Sequence, residues 1–310
     1  MPFFWRKKVV LAKIEATYGA VVSMTGAANA MLVKDLKIMP MEGQDIERGL
    51  DLPWFGNDGT IPADLHVKVT FKIELEGSGT LGVAPRYSAF LRACGLQETI
   101  VALTSVTYTP IAPLHESATL TWNVDGLQQL VKGLRGTAKF AWNAQGIPYM
   151  EFEGQGLYAT PTDTAALVPV LSAFIRPQAV SNTNTPFFLV NTVPMVMRSF
   201  SMDLGNKLEN RFLVGSDSVL ITDRAETVDM TVEAVPMAVL NPYALAESGT
   251  TVPVQITHGT VAGKRMTLNM PQTQLLRPTG LESAQNILEW SLKGAPRPVL
   301  GNDQWNLVLN

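Results

Sequence analysis

The chain has 310 residues, 46% of them hydrophobic and only 16% charged, with a formal net charge of −3. At roughly 150 residues per domain the length favours two domains, and the apolar content is ample for buried cores, which excludes a disordered tail. Residues 1–165 carry 14 basic and 16 acidic groups and residues 166–310 carry 10 and 11, so neither half is basic enough for a dedicated nucleic-acid grip.

The chain opens on Met1-Pro2-Phe3-Phe4-Trp5-Arg6-Lys7-Lys8. A secretory signal places its basic cluster first and follows it with a longer apolar run, whereas Lys13 and Glu15 interrupt this one. No apolar stretch reaches the ~18 residues of a membrane helix, so synthesis and folding in the cytoplasm are expected. Phe3, Phe4 and Trp5 have few local partners, and Leu52, Pro53, Trp54 and Phe55 place two more aromatics in a loop bounded by Asp51 and Asp58. Either they fold back on their own domain, or they dock on a neighbouring subunit. The low charge of the whole surface favours the second.

Alternation of period two dominates the rest. Val67, Val69, Phe71, Ile73 and Leu75 point one way, and His66, Lys68, Thr70, Lys72, Glu74 and Glu76 the other. This is a half-buried antiparallel strand with one wet face. Pro85 introduces a short helix over 86–94, and Gly95 stops it. The single cysteine, Cys94, lies in that helix and reads as a packed core thiol. Two further strands run through Ala118–Val124 and Ala138–Ala144, joined by a longer loop from Asp125-Gly126 to Arg135-Gly136, and another through Met150 and Phe152. Residues 161–195 break the rhythm as an irregular connector, with 165–174 a candidate short helix.

Beyond the connector the order of elements repeats. Val228, Met230, Val232 and Ala234 alternate with Thr227, Asp229, Thr231 and Glu233, matching 66–76. A helical run over 242–247 matches 86–94, and strands near 252–256, 266–270 and 288–292 match the three that close the first half. The expected fold is mainly β (α+β): two tandem antiparallel β-sandwich or half-barrel domains, each with one short helix. Residues 1–160 form the first domain with its N-terminal arm, 161–195 the connector and 196–310 the second.

Signals for chemistry are few. Gly77-Ser78-Gly79-Thr80-Leu81-Gly82 matches G-x-G-x-x-G, and Glu98 stands at ribose-binding distance. A dinucleotide-binding first strand is continuously apolar, yet here every second residue is polar. The run therefore reads as a flexible loop. His66, His115 and His258 lack metal-ligand spacing, and no serine elbow exists. Carboxylate pairs such as Glu74/Glu76 and Asp229/Glu233 read as solvated strand faces. No cofactor, metal or catalytic residue is expected.

Several runs accumulate into a resemblance. They are 6–19 (Arg-Lys-Lys-Val-Val-Leu-Ala-Lys-Ile-Glu-Ala-Thr-Tyr-Gly), 26–30, 91–95, 105–110, 125–126, 134–137, 147–150, 156–158, 201–206 and 215–224. Together they resemble tail tube (major tail) proteins of long, non-contractile-tailed bacteriophages, across nearly the whole chain. The resemblance implies a structural virion protein, assembled in the host cytoplasm, whose sheet joins its neighbours' around a channel in rings that stack into a tube. Its implied partners are further copies of itself, the tape measure protein, the tail terminator and the tail-tip or distal tail proteins. DNA crosses the lumen without specific binding, and no membrane is involved. Family rings commonly hold six units, so a two-unit chain implies three chains per pseudo-sixfold ring and genome ejection through the bore. Phe3, Phe4, Trp5, Leu52, Pro53, Trp54 and Phe55 become candidate subunit or ring interfaces. Lys68, Lys72, Glu74, Glu76, Asp229 and Glu233 become candidate lumen-facing residues, where carboxylates would repel phosphate. The residues also leave open a six-chain ring with 196–310 as an external decoration, a β-sandwich module binding carbohydrate or protein, and a nucleotide-dependent enzyme; a membrane barrel is disfavoured.

Overall fold

A computed structural model of the chain describes residues 2–172 and 174–310. In chain order come β1 (Lys8–Ile14), the single-turn helix α1 (Gly26–Asn29), β2 (Ala30–Met31), β3 (Lys34–Glu47), β4 (Thr60–Glu74) and α2 (Ser88–Ala93). Next are β5 (Leu96–Val101), β6 (Ser105–Pro110), β7 (Ala118–Val124), β8 (Leu127–Asn143), β9 (Tyr149–Leu157), β10 (Thr162–Asp163), β11 (Phe187–Val190) and β12 (Val193–Pro194). The chain closes with β13 (Met197–Asp203), β14 (Asn206–Leu213), β15 (Ser216–Arg224), β16 (Thr227–Glu233), α3 (Pro242–Ser248), β17 (Thr251–His258), β18 (Met266–Leu275), β19 (Leu281–Ala284), β20 (Ile287–Pro296) and β21 (Asn306–Leu309). The fold is mainly β and antiparallel throughout.

Alternation sets the layers. Val67, Val69, Phe71, Ile73 and Leu75 are all buried. Phe71 stacks on Phe152 of β9 at 4.8 Å between ring centres and meets Phe90 of α2 at 4.7 Å. Helix α2 is shorter than the 86–94 expected, but it buries Phe90 and Leu91 in this core, with Cys94 just beyond its end. Asn241 caps α3 by accepting a hydrogen bond from the Ala244 N–H at 3.0 Å; Pro242 opens the helix, and Gly249 ends it in the left-handed conformation at φ 65°. No helix forms in the described part of 165–174.

The expected long loop between β7 and β8 is a two-residue turn instead. Asp125 (φ 51°) and Gly126 (φ 113°) make it, and positive φ at both positions suits the twist of a tight hairpin. The polar stretch that follows is strand: β8 runs unbroken for 17 residues. Its first half pairs with β7, and its second half pairs with β9 on one edge and β13 on the other. It therefore belongs to two sheets.

The pairing scheme of residues 8–157 recurs in 187–296. β1 joins β2 and β7 as β11 joins β12 and β17. β3–β4–β9 recurs as β13–β16–β20. β7–β8–β9 recurs as β17–β18–β20, with β19 continuing along β20 where β18 leaves it. The halves differ by insertion: the β5–β6 hairpin follows α2 only, and the β14–β15 hairpin separates β13 from β16 only. At the seam, β8 and β13 pair directly, so one sheet runs β3–β4–β9–β8–β13–β16–β20–β19. The core is continuous across the seam, with Trp142 packed 5.8 Å from Phe200.

Candidate assembly surfaces and channel face

One face of the long sheet is the core; the other is polar and open. Directly opposed residues share a face, so Lys72, Glu151, Lys139 and Asp203 form one row across four strands. Ser201, Asp229 and Lys293 form another. Lys68, Lys72, Glu74, Asp229 and Glu233 all lie on this face. The charges alternate in sign rather than making a carboxylate field. Lys72 Nζ donates to Glu151 Oε1 at 2.5 Å, which raises the ammonium's pKa. Lys293 stands 3.8 Å from Asp229, and Lys68 4.0 Å from Glu42. A cleft of about 890 Å³ crosses the face, lined by Lys37, Lys72, Lys139, Glu151 and Glu153 and reached by Trp5 of the arm and Lys8 of β1.

Glu76 departs from the solvated position that alternation assigned it. It stands past the end of β4, in a narrow crevice with Ile175, Gln178, His258 and Lys264. Its Oε1 accepts the Ile175 N–H at 3.2 Å, while Oε2 is buried without a partner. Loss of water pushes this carboxyl up to about 7, and Glu74 adds to the rise. His66 also leaves the wet face: it is buried, with Nδ1 2.8 Å from the Asp64 carbonyl and its ring 6.1 Å from Phe212.

The arm is latched but its rings are not covered. The Phe4 N–H and Lys7 Nζ donate to the two oxygens of Asp125 at 2.9 and 2.8 Å. Lys7 holds that carboxyl below its usual range. Trp5 meets Trp122 edge-on at 5.7 Å, and the Lys8 ammonium sits 3.6 Å over the Trp5 ring. Phe3, Phe4 and Trp5 nevertheless stay exposed. Leu52, Pro53, Trp54 and Phe55 occupy the tip between β3 and β4, with Trp54 67% and Phe55 fully exposed. The strands below that tip expose Met39, Met41, Ile46 and Ile61 as well.

Sequence reasoning missed how the β14–β15 hairpin is held. It folds over the first half, and its buried polar groups reach across the seam. Arg135 Nη1 donates to the Val219 carbonyl at 2.7 Å, and Nη2 to the His115 carbonyl at 2.6 Å. The Val219 N–H donates to the Tyr18 hydroxyl at 2.6 Å, and the Arg135 guanidinium stacks 4.7 Å over that ring. Asn206 Nδ2 donates to the carbonyls of Cys94 and Gly136, and Arg224 Nη2 to that of Gly95. Gly136 and Arg224 lie within the runs that carried the resemblance, so the signal was present without its physical reason.

A family model described as phage tail tube protein matches residues 5–303. The chain belongs to this family. That gives it a structural role in the tail tube and makes it a component of the virion tail. Comparison with curated proteins gives no match.

In this tail tube protein the glycine run 77–82 packs against the second half. The Gly79 N–H donates to the Gly263 carbonyl at 2.9 Å, and a Cβ on Gly77 would lie 2.1 Å from that same oxygen. The loop thus closes on the turn between β17 and β18, which only glycine permits at this approach. Cys94 is fully buried, and burial pushes its thiol up. His258 is held by the Thr185 hydroxyl at Nδ1 (2.9 Å) and the Gln178 carbonyl at Nε2 (3.2 Å); burial lowers its pKa. Among the described residues no group of His, Cys, Asp and Glu could hold a metal, and no helix is long and apolar enough to cross a membrane.

Proposed function

We propose that three copies of this tail tube protein form a ring of pseudo-sixfold symmetry, that rings stack into the tail tube, and that DNA leaves the virion through its bore. The observation that carries the reading is the recurrence of one pairing scheme in 8–157 and 187–296, which supports reading the chain as two copies of a unit. Three chains then supply six units. The polar sheet face is the assigned channel lining, with Lys68, Lys72, Glu74, Asp229 and Glu233 on it and Glu76 outside it. Its paired, alternating charges leave no cationic track for phosphates to follow, so DNA slides without being held. The tape measure protein would fill the same bore before ejection; terminator and tip proteins would meet the two ends of the stack.

Stacking is assigned to the arm and the β3–β4 tip, where large aromatic groups stay exposed in their own chain. Electron microscopy of the purified chain over a concentration series, with light scattering on the same samples, tests the reading. Stacked rings of three chains are expected. Rings of six chains would overturn the two-unit assignment, and a monomer at every concentration would favour a binding module instead. Deleting residues 1–5, or combining Trp54→Ala with Phe55→Ala, is expected to leave the fold intact and shorten or abolish tubes. Tubes of normal length from both variants would remove these surfaces from the stacking contact.

A further inference from the structure

Residues 174–179 of the connector form a strap that touches both halves with few ties. Upstream of it, the Val170 N–H donates to the Gly26 carbonyl at 3.0 Å. Downstream, the Val180 N–H donates to the Gly146 carbonyl and its carbonyl accepts from the Gln145 N–H, both at 2.8 Å. Between these anchors, among the described residues, two hydrogen bonds tie the strap to the body. The Ile175 N–H donates to Glu76 Oε1 of the first half at 3.2 Å. The Gln178 carbonyl lies 3.2 Å from Nε2 of His258, at the end of β17 in the second half.

The crevice beside the strap is short of one donor. Glu76 Oε2 and Gln178 Oε1 are both buried there without a partner, and each such acceptor is costly away from water. The free space, about 10 Å³, is at the lower limit for a single water. One proton would serve both acceptors. Carried on Glu76 Oε2, it is donated to Gln178 Oε1, while Glu76 Oε1 still accepts from Ile175. The groups around the carboxyl come from every element packed against it. Burial disfavours its charge most, Glu74 on its own strand adds to that, and Lys264 of the β17–β18 turn opposes it. Tyr87, at the head of α2, donates its hydroxyl to the Glu76 carbonyl at 2.8 Å, and burial keeps it neutral. Burial likewise keeps His258 neutral. Arg176 of the strap is exposed to water.

We infer that this crevice is a proton-operated clasp for the strap. With Glu76 protonated, Glu76 and Gln178 share the proton and the strap is seated across both halves. When the proton passes to water, two acceptors are left buried without a donor, one of them charged, and the strap lifts to hydrate them. The clasp stands apart from the ring reading, because every group in it belongs to one chain.

Hydrogen exchange at the Ile175 amide of the full chain, corrected for the intrinsic pH dependence of exchange, tests the clasp. Opening returns Glu76 to its ordinary range, so protection is complete below that range and is lost as pH rises through about 7. Protection at about pH 8 is expected to be about tenfold lower than at about pH 5. In Glu76→Gln the new amide donates to Gln178 at any pH, so protection is expected to stay high and flat. Gln178→Ala removes the acceptor and is expected to be poorly protected even at about pH 5. A flat wild-type profile would overturn the clasp; a trapped water, or an ionised Glu76 met by a turned Gln178 amide, would give that result. A pH dependence that persists in Glu76→Gln would overturn it too, as would one of opposite sign, which protonation of His258 would produce. Gln178→Ala as well protected as wild type would remove the shared proton and the clasp with it. The Leu75 amide, which donates to the Pro148 carbonyl in the core, is the reference for unfolding of the whole chain. Ile175 is expected to exchange faster than Leu75 throughout, and equal protection would overturn a separate opening of the strap.

Discussion

Glu15 shows how much one buried carboxylate can organise. It accepts hydrogen bonds from the Ser117 and Thr119 hydroxyls at 2.6 and 2.8 Å and from the backbone N–H groups of Gly19 and Gly133 at 2.8 and 2.7 Å. It thereby ties β1 to β7 and β8. Replacing it by alanine orphans all four donors, so Glu15→Ala is expected to cost about 3 kcal/mol in denaturant unfolding, and Glu15→Gln less. Glu76 acts in the opposite sense. Its ordinary pKa of 4.5 rises to about 7 on folding, so the folded chain binds the proton more tightly than the unfolded one. The group's contribution to stability is complete below the ordinary pKa and is lost as pH climbs through 7. Glu76→Gln is expected to match wild type at about pH 4 and to exceed it by about 1 kcal/mol at about pH 8, a figure reduced because the group is only partly buried. Equal stability at pH 8 would contradict the burial argument. His258 works the other way: burial keeps it neutral, so stability falls as pH drops through the ordinary histidine range.

At the scale of elements, the close approach of the 77–82 loop to the 259–264 turn joins the halves through backbone alone. A Cβ at position 77 would meet the Gly263 carbonyl, so Gly77→Ala is expected to cost about 2 kcal/mol in unfolding while leaving each half's pairing intact. Legibility in the sequence followed local periodicity. β4 was readable because five apolar residues alternate without interruption, and α3 because asparagine, proline and glycine mark both its ends. β8 was not, because Gly133 at φ 62° and a register shift between Lys132 and Arg135 break its alternation where it crosses between sheets. β14 and β15 escaped notice because, of their apolar residues, only Val219 and Ile221 are buried, too few to mark an alternation. Glu76 was misplaced because its cover is Ile175, 99 residues away, and no local pattern records such a contact. The exposed aromatics of the arm and the 48–59 tip were legible as unsupported apolar groups, but the seam that ranks the sheet edges emerged only from the pairings.

The whole molecule is two similar halves stitched by the β8–β13 pairing and a shared core. Trp142 and Phe200 pack across the seam, and Phe140 reaches Trp305 at 6.4 Å. The halves are therefore expected to unfold together, in one calorimetric transition. Trp142→Ala removes a fully buried ring and is expected to cost about 4 kcal/mol and to split that transition in two. Two transitions in the wild-type chain would argue that the seam couples the halves weakly. The channel face makes a separate prediction: reversing its acidic members, Glu153→Lys with Asp229→Lys, is expected to slow DNA ejection from otherwise normal particles, with the delay shrinking as salt is raised. The 17-residue β8 bears on how such a tube would yield under load. Force along a strand strains all its cross-strand hydrogen bonds at once, whereas force across it opens them one by one. In the proposed ring the strands of the long sheet succeed one another around the bore, so β8 lies along the tube, and tension along the tube within each ring is taken in the first way. A tail that flexes would then do so by hinging between stiff discs, with the arms and hairpin tips as its compliant joints.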